Sequence, residues 1–256
     1  MTQAVPPTSR RHSAAFISLA TSCKALTFGS FNLKSGRVSP YFFNAGNFST
    51  GHALSELADC YADGIVAEFC RAHAEHSESI SPHSSHSLPF DVLFGPAYKG
   101  IPLVAAVATS LYRRHGIDLP FVFNRKESKA HGEGGTLIGT GLSAGGQRVL
   151  VVDDVVTAGT AIREAIAMVE GASVSEGAKP NKVVAVFVGL DRDEKMSDTD
   201  GKSACMQVSE NLGIEVKSVA KLGDLLAFCE GSGSLGAEVF ESVNAYRLKW
   251  GVDRVH

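Results

Sequence analysis

No excess of charge of either sign marks this chain: 24 Lys and Arg stand against 27 Asp and Glu in 256 residues, a net charge of −3. Nothing global therefore advertises nucleic acid or an anionic membrane, and any affinity for phosphates has to come from local clusters. Cysteine is sparse too. Cys23, Cys60, Cys70, Cys205 and Cys229 are an odd, scattered set with no C-x-x-C pair, which argues against a disulfide framework or a zinc knuckle. Long apolar runs are missing: Ile101 to Ala108 and Val183 to Val188 fall far short of the roughly 18 residues that span a bilayer. Arg10, Arg11 and His12 near the start are followed by no apolar h-region, so a secretory signal is not expected and a reduced, cytoplasmic setting is. What remains is a chain with 44% hydrophobic and 20% charged residues, suited to one globular α/β domain.

Apolar residues at helical spacing predict helices over 13–27 and 53–72. Between them, Phe28 to Gly51 is rich in Gly, Ser, Asn and aromatics, and its Phe28-Gly-Ser-Phe-Asn-Leu and Tyr41-Phe-Phe-Asn runs read as short strands of a small lobe. Residues 73–90 hold six serines and four histidines with no apolar period. Their His-x-x-His spacings lack the Cys or carboxylate order of a metal site, and the stretch reads as a polar surface insertion. Beyond it, strands are predicted at Phe90 to Phe94, Phe121 to Phe123, Arg148 to Val152, Lys182 to Leu190 and Glu215 to Val219. Helices are predicted at Ile101 to Tyr112 and Thr160 to about Glu170, and a single closing helix with a tail after Val219. Such alternation predicts a mainly parallel central sheet covered by helices on both faces, with ligands bound beyond the carboxyl ends of its strands.

The Arg148 to Val152 strand runs into Asp153-Asp-Val-Val-Thr-Ala-Gly-Thr-Ala161. Small residues opening a helix offer free backbone N–H groups to a phosphate, and two carboxylates leaving an apolar strand suit a sugar or a cationic centre. Residues Glu127 to Gly146 contain seven glycines and a Lys-x-His-Gly-Glu block, the composition of a mobile loop.

The Asp-Asp loop resembles the phosphoribosyl-diphosphate signature of the type I phosphoribosyltransferases. Further blocks are similar to the orotate-using branch of that family: Phe28-Gly-x-Phe-x-Leu-Lys-Ser-Gly-Arg37, Ser39-Pro-Tyr-Phe-Phe-Asn44, Gly95-Pro-Ala-Tyr-Lys-Gly-Ile-Pro102, Asn124-Arg-Lys-Glu-x-Lys-x-His-Gly-Glu133 and Gly189-Leu-Asp-Arg192. The resemblance spans about Phe16 to Val219; the departures are the 73–90 stretch and Val156 where Ile is frequent.

The resemblance implies a Rossmann-like fold with a small N-terminal hood lobe. One phosphoribosyltransferase domain would fill 1–256, with the first helix and hood at 13–52, an α/β core at 53–230 and a catalytic loop at 127–146. The implied reaction joins phosphoribosyl diphosphate to orotate. Thr157, Ala158, Gly159, Thr160 and Ala161 would cradle the 5-phosphate, with Val155 and Val156 beside them. Lys99, Arg125, Lys126, Lys129 and His131 would surround the diphosphate, and a cis Ala97–Tyr98 peptide would turn backbone toward it. Asp153 and Asp154 would hold the ribose hydroxyls; with Lys129 and His131 they are the implied catalytic residues. Lys34, Phe42, Phe43 and Arg192 would receive the orotate ring. Mg²⁺ would arrive with the diphosphate, without a direct protein ligand, and a homodimer would share loops between sites. Two other readings stay open: a different acceptor base, and a non-catalytic sensor of phosphoribosyl diphosphate. Only 37 residues follow Val219, which leaves a fused decarboxylase unexpected.

Overall fold

The computed structural model describes residues 11–33, 35–70, 88–129, 135–156, 159–172, 174–196, 201–232 and 236–252. Helix α1 (Arg11–Ser22) leads into a two-stranded hood, β1 (Leu26–Asn32) and β2 (Val38–Phe43), paired antiparallel with a bulge between Phe28 and Phe31. Helix α2 (Gly51–Ile65) follows, capped by the Thr50 side chain and continued by a single π turn, Val66–Cys70. The core then alternates: β3 (Val92–Gly95), α3 (Gly100–His115), β4 (Phe121–Lys129), β5 (Gly135–Ile138), β6 (Arg148–Asp153), α4 (Thr160–Glu170), β7 (Lys182–Asp191), α5 (Ala204–Leu212) and β8 (Glu215–Lys221).

The six-stranded sheet has the order β5-β4-β3-β6-β7-β8, parallel except where β5 returns along β4. Its central strands β3, β6 and β7 are apolar along most of their length because both faces are covered. On β6, Leu150 and Val152 join Phe16, Tyr61, Val104, Phe187 and Leu225 on one side. Val149 and Val151 alternate to the other, among Phe94, Ile162, Val169, Val186 and Val208. Side chains two apart on a strand share a face, so these strands can feed two cores at once.

Helix α3 contributes Leu103, Val104 and Val107 to the first core and α4 contributes Ile162, Ala165 and Val169 to the second. The chain therefore leaves β3 over one face and β6 over the other. Their carboxyl ends diverge, and the crevice between them is the switch point where α/β sheets bind ligands.

Three expectations are corrected. The chain after Val219 forms two helices, α6 (Leu222–Ser232) and α7 (Ala237–Trp250). Helix α7 buries little beyond Val243 and Tyr246, so its apolar stripe is too narrow to announce it. Within 127–146, where only loop was expected, residues 127–129 and 135–138 belong to the strands of the β4–β5 hairpin, paired through the backbone; residues 130–134 lie outside the described residues. The polar character of 73–90 stops before Leu88 and Phe90, which are core residues, while 73–87 lie outside the description. Among the described residues no helix is long and apolar enough to cross a membrane.

Candidate active site

Strand β6 delivers Asp153 and Asp154 to the crevice. Each carboxylate folds back onto the next backbone N–H: Asp153 Oδ1 accepts from Asp154 and Asp154 Oδ1 from Val155, both at 2.9 Å. Behind them, the buried Tyr61 hydroxyl donates to the Asp153 carbonyl at 2.9 Å, and the Gly189 N–H of β7 donates to the Asp154 carbonyl at 2.9 Å. Burial, with the Asp154 charge second, pushes Asp153 up to about 7. A carboxyl whose pKa is raised this far by burial is the kind of group that chemically active sites often hold.

Thr157 and Ala158 lie outside the described residues, but the end of the loop is clear. Gly159 takes a left-handed φ of 70° and caps α4 without a side-chain hydrogen bond. A Cβ there would approach Val208 Cγ2 to 2.6 Å, so both the backbone angle and the packing call for glycine. The first-turn N–H groups that follow, at Thr160 and Ala161, meet no capping side chain among the described residues and can take a phosphate.

From the facing strand, β3, the turn Pro96–Lys99 brings Lys99 across. Its Nζ pairs with Asp154 Oδ2 at 2.8 Å; the lysine is largely exposed and the carboxylate is not. The Ala97–Tyr98 peptide is cis, and the Ala97 N–H donates to Asn124 Oδ1 at 2.7 Å. Lys126 Nζ stands 5.0 Å above the exposed Tyr98 ring, so two of the expected cations meet at one turn. The turn requires close backbone approach: a Cβ on Gly95 would fall 2.3 Å from the Gly100 carbonyl oxygen. Arg125 is half-buried on β4; the side chain of Lys129, and Lys34 and His131 altogether, lie outside the described residues.

The hood closes over Asp154 and Lys99. A cavity of about 170 Å³ is lined by these two and by Phe16, Phe43, Phe48 and Tyr61. Phe42 and Phe43, expected side by side against one ring, face opposite ways, as successive strand residues do. Phe43 packs against Phe16, ring centroids 5.9 Å apart, whereas Phe42 is exposed and stacks on Phe31 at 5.5 Å.

Arg192 emerges just beyond β7 and is held against the hood rather than beside Asp154. Its Nε and Nη2 meet Glu194 Oε1 at 3.0 and 2.8 Å, Nη2 donates to Ser39 Oγ at 3.2 Å, and the guanidinium lies 4.9 Å from the Tyr41 ring centre. Burial opposes its charge, but Tyr41 and Glu194 outweigh burial and its pKa rises. Sequence reasoning missed Tyr61 and Glu194, which carry no motif of their own, and Asn124, which opens a quoted block but was given no role. Tyr41 stood inside a quoted block but was read as strand only.

Among the described residues, no three or more His, Cys, Asp or Glu side chains converge as a metal cage. Asp153 and Asp154 offer the oxygen donors that a hard divalent ion such as Mg²⁺ takes, directly or through water.

Paired carboxylates, an uncapped helix start and a lysine turn at the switch point of a parallel sheet define an α/β protein that takes a phosphorylated, anionic sugar. The profile of the phosphoribosyl transferase domain family matches residues 73–211. Orotate phosphoribosyltransferase of Xanthomonas euvesicatoria pv. vesicatoria (strain 85-10) is 50% identical over 242 residues, covering 94% of this chain and 97% of its own. That of Stenotrophomonas maltophilia (strain K279a) is 48% identical over 241 residues, with the same coverages. The crystal structure of the Francisella tularensis enzyme of that name superposes with a TM-score of 0.69 at 36% identity, covering 92% of this chain and 95% of that one. The chain belongs to the phosphoribosyltransferase family, in its orotate phosphoribosyltransferase branch.

Proposed function

We propose that the protein transfers ribose 5-phosphate from 5-phospho-α-D-ribose 1-diphosphate to N1 of orotate, giving orotidine 5′-monophosphate and diphosphate on the route to UMP. The observation that carries this reading is the Asp153–Asp154 pair at the end of β6, running into the uncapped start of α4 with Lys99 2.8 Å from Asp154. That arrangement matches a donor with a monophosphate at one end and a diphosphate at the other. The half-identical orotate phosphoribosyltransferases support the acceptor.

In this mechanism Thr157 to Ala161 bind the 5-phosphate through backbone N–H groups and hydroxyls. Asp153 and Asp154 orient the ribose hydroxyls and put negative charge near C1 as it becomes cationic. Lys99, Arg125, Lys126 and Lys129 neutralise the departing diphosphate, and His131 hydrogen-bonds it. Mg²⁺, when bound with the donor, adds charge neutralisation at the diphosphate. Phe43 presents an apolar wall to the flat ring, and Arg192 presents donors to its oxygens. Lys34 belongs to the same pocket, with Phe42 at its outer rim.

The segment carrying Lys129 and His131 serves the neighbouring subunit of a homodimer and excludes water as it closes. The protein works in the cytoplasm, without nucleic acid or membrane. Orotate consumption, followed by ultraviolet absorbance, should require both phosphoribosyl diphosphate and Mg²⁺ and cease with EDTA. Turnover of uracil or a purine in place of orotate would refute the acceptor.

A further inference from the structure

The contacts around Arg192 centre on a neighbour that the reaction does not consume. Glu194 is nearly buried, its side chain only 10% exposed, and both its oxygens are engaged. Oε1 accepts from the Tyr41 hydroxyl at 2.6 Å as well as from Arg192; Oε2 accepts from the Tyr246 hydroxyl at 3.1 Å. Tyr41 belongs to the hood strand β2 and Tyr246 to helix α7, and their rings meet edge to face at 6.3 Å. Three parts of the chain, distant in sequence, converge on one carboxylate.

The backbone is fastened at the same place. Lys195 N–H donates to the Trp250 carbonyl at 2.8 Å and Val252 N–H to the Asp193 carbonyl at 2.9 Å. Arg37 of the hood lies over the Trp250 ring at 4.1 Å and donates to the Lys195 carbonyl. Segment 192–195 is therefore held by the hood on one side and by α7 on the other. Burial, with Glu194 second, raises Tyr41 well above its usual pKa and pushes Tyr246 up to about 12, so both hydroxyls remain donors at neutral pH.

A guanidinium is a rigid planar fork, and fixing part of it fixes the rest. Glu194 occupies the edge formed by Nε and Nη2, Ser39 takes a further Nη2 contact, and among the described residues Nη1 has no part in the network. We propose that Glu194, clamped by Tyr41 and Tyr246, is a positioning residue that sets the orientation of Arg192, so that Nη1 faces the acceptor base and α7 becomes part of the acceptor site. An unclamped arginine would lose side-chain freedom on binding; the clamp removes that cost beforehand. It also compensates the Glu194 charge with a cation and two hydroxyls, so that it does not repel an anionic acceptor.

The inference rests on Arg192 contacting the acceptor. It is tested by steady-state kinetics on Tyr246→Phe and Glu194→Ala, alone and combined with Arg192→Ala, varying acceptor and phosphoribosyl diphosphate separately. Tyr246→Phe deletes one hydroxyl and keeps the ring that packs on Tyr41, which guards against a mere folding failure; thermal unfolding checks each variant. We expect the acceptor KM to rise about threefold in Tyr246→Phe and about tenfold in Glu194→Ala, in line with losing a neutral and a charge-assisted hydrogen bond. The KM for phosphoribosyl diphosphate should stay within about twofold. In the Arg192→Ala background neither change should lower acceptor kcat/KM further, because groups acting through one residue are not additive.

Equal rises in both KM values, effects that persist without Arg192, or an unchanged acceptor KM in folded variants would overturn the proposal. Wild-type turnover of orotate is the separate control. Its absence counts against the acceptor identity, and the series is then read with whichever base the wild type uses.

Discussion

Replacing Asp153 with Asn keeps the shape of the side chain at the end of β6 and removes its charge, and the consequence depends on pH in a definite way. Burial, with the neighbouring Asp154 charge second, raises this carboxyl from 3.8 to about 7. Between those values the folded protein holds a proton that the unfolded chain has released. The unfolded state then binds fewer protons, so stability falls as pH rises through this window. Above about pH 7 both states are ionised and the whole cost of the buried charge is present, about 4 kcal/mol at ~1.36 kcal/mol per pKa unit. Below about pH 4 both states are protonated and the cost vanishes. The Asn variant carries none of it. Its unfolding free energy relative to wild type should therefore climb by about 1.36 kcal/mol per pH unit from about pH 4 to about pH 7 and level off beyond. Urea unfolding of both proteins between about pH 5 and pH 8, followed by circular dichroism, measures the difference, and titrating groups distant from Asp153 cancel in it. The same variant should lose about 100-fold or more in kcat, a gain in stability at the expense of function. A difference that does not change with pH would refute the reasoning.

Two further outcomes follow from the site and its supports. Lys129→Ala and Asp153→Asn chains, each inactive alone, should recover about a quarter of wild-type activity after subunit exchange, the statistical share of mixed dimers with one intact site; a mixture no more active than its parts would confine each site to one chain. Gly95→Ala would set a Cβ 2.3 Å from the Gly100 carbonyl oxygen and 2.5 Å from Val104 Cγ1. It should cost about 3 kcal/mol or more, read as a lower melting temperature, and an unchanged melt would show the turn to be more yielding than its geometry.

What the sequence revealed of the fold tracks what each element buries. Arg148–Asp153 and Lys182–Asp191 were legible because strands covered on both faces must be apolar throughout, and no surface requirement dilutes that signal. Thr160–Glu170 was legible for the complementary reason, one clean stripe of Ile162, Ala165 and Val169. Helix α7 was hidden because Val243 and Tyr246 are its only buried residues, too few for an apolar stripe, and the β4–β5 hairpin because the polar run 124–129 of β4 masks its strand character. In the site, the Asp-Asp loop was visible because its chemistry is written in consecutive residues. Opposite facing of Phe42 and Phe43 was implicit in strand alternation yet easily overlooked. The Glu194 hub joins residues 41, 194 and 246, and no local pattern announces a contact assembled from such separations.

The first helix closes the molecule against its last strand. Ser13 Oγ donates to the Val219 carbonyl at 2.9 Å across a separation of 206 residues, and α1 buries Phe16 and Ile17 in the same core as Leu222 and Leu225. During synthesis α1 leaves the ribosome well before β8, so the part of its docking surface that β8 and α6 supply is still missing. At ~5–20 residues per second that is roughly 10–40 s of waiting. Through that interval α1 can pack only against α2 and the hood, where Phe16 meets Phe43 and Phe48, so folding in the cell depends on keeping this incomplete core from aggregating until β8 arrives.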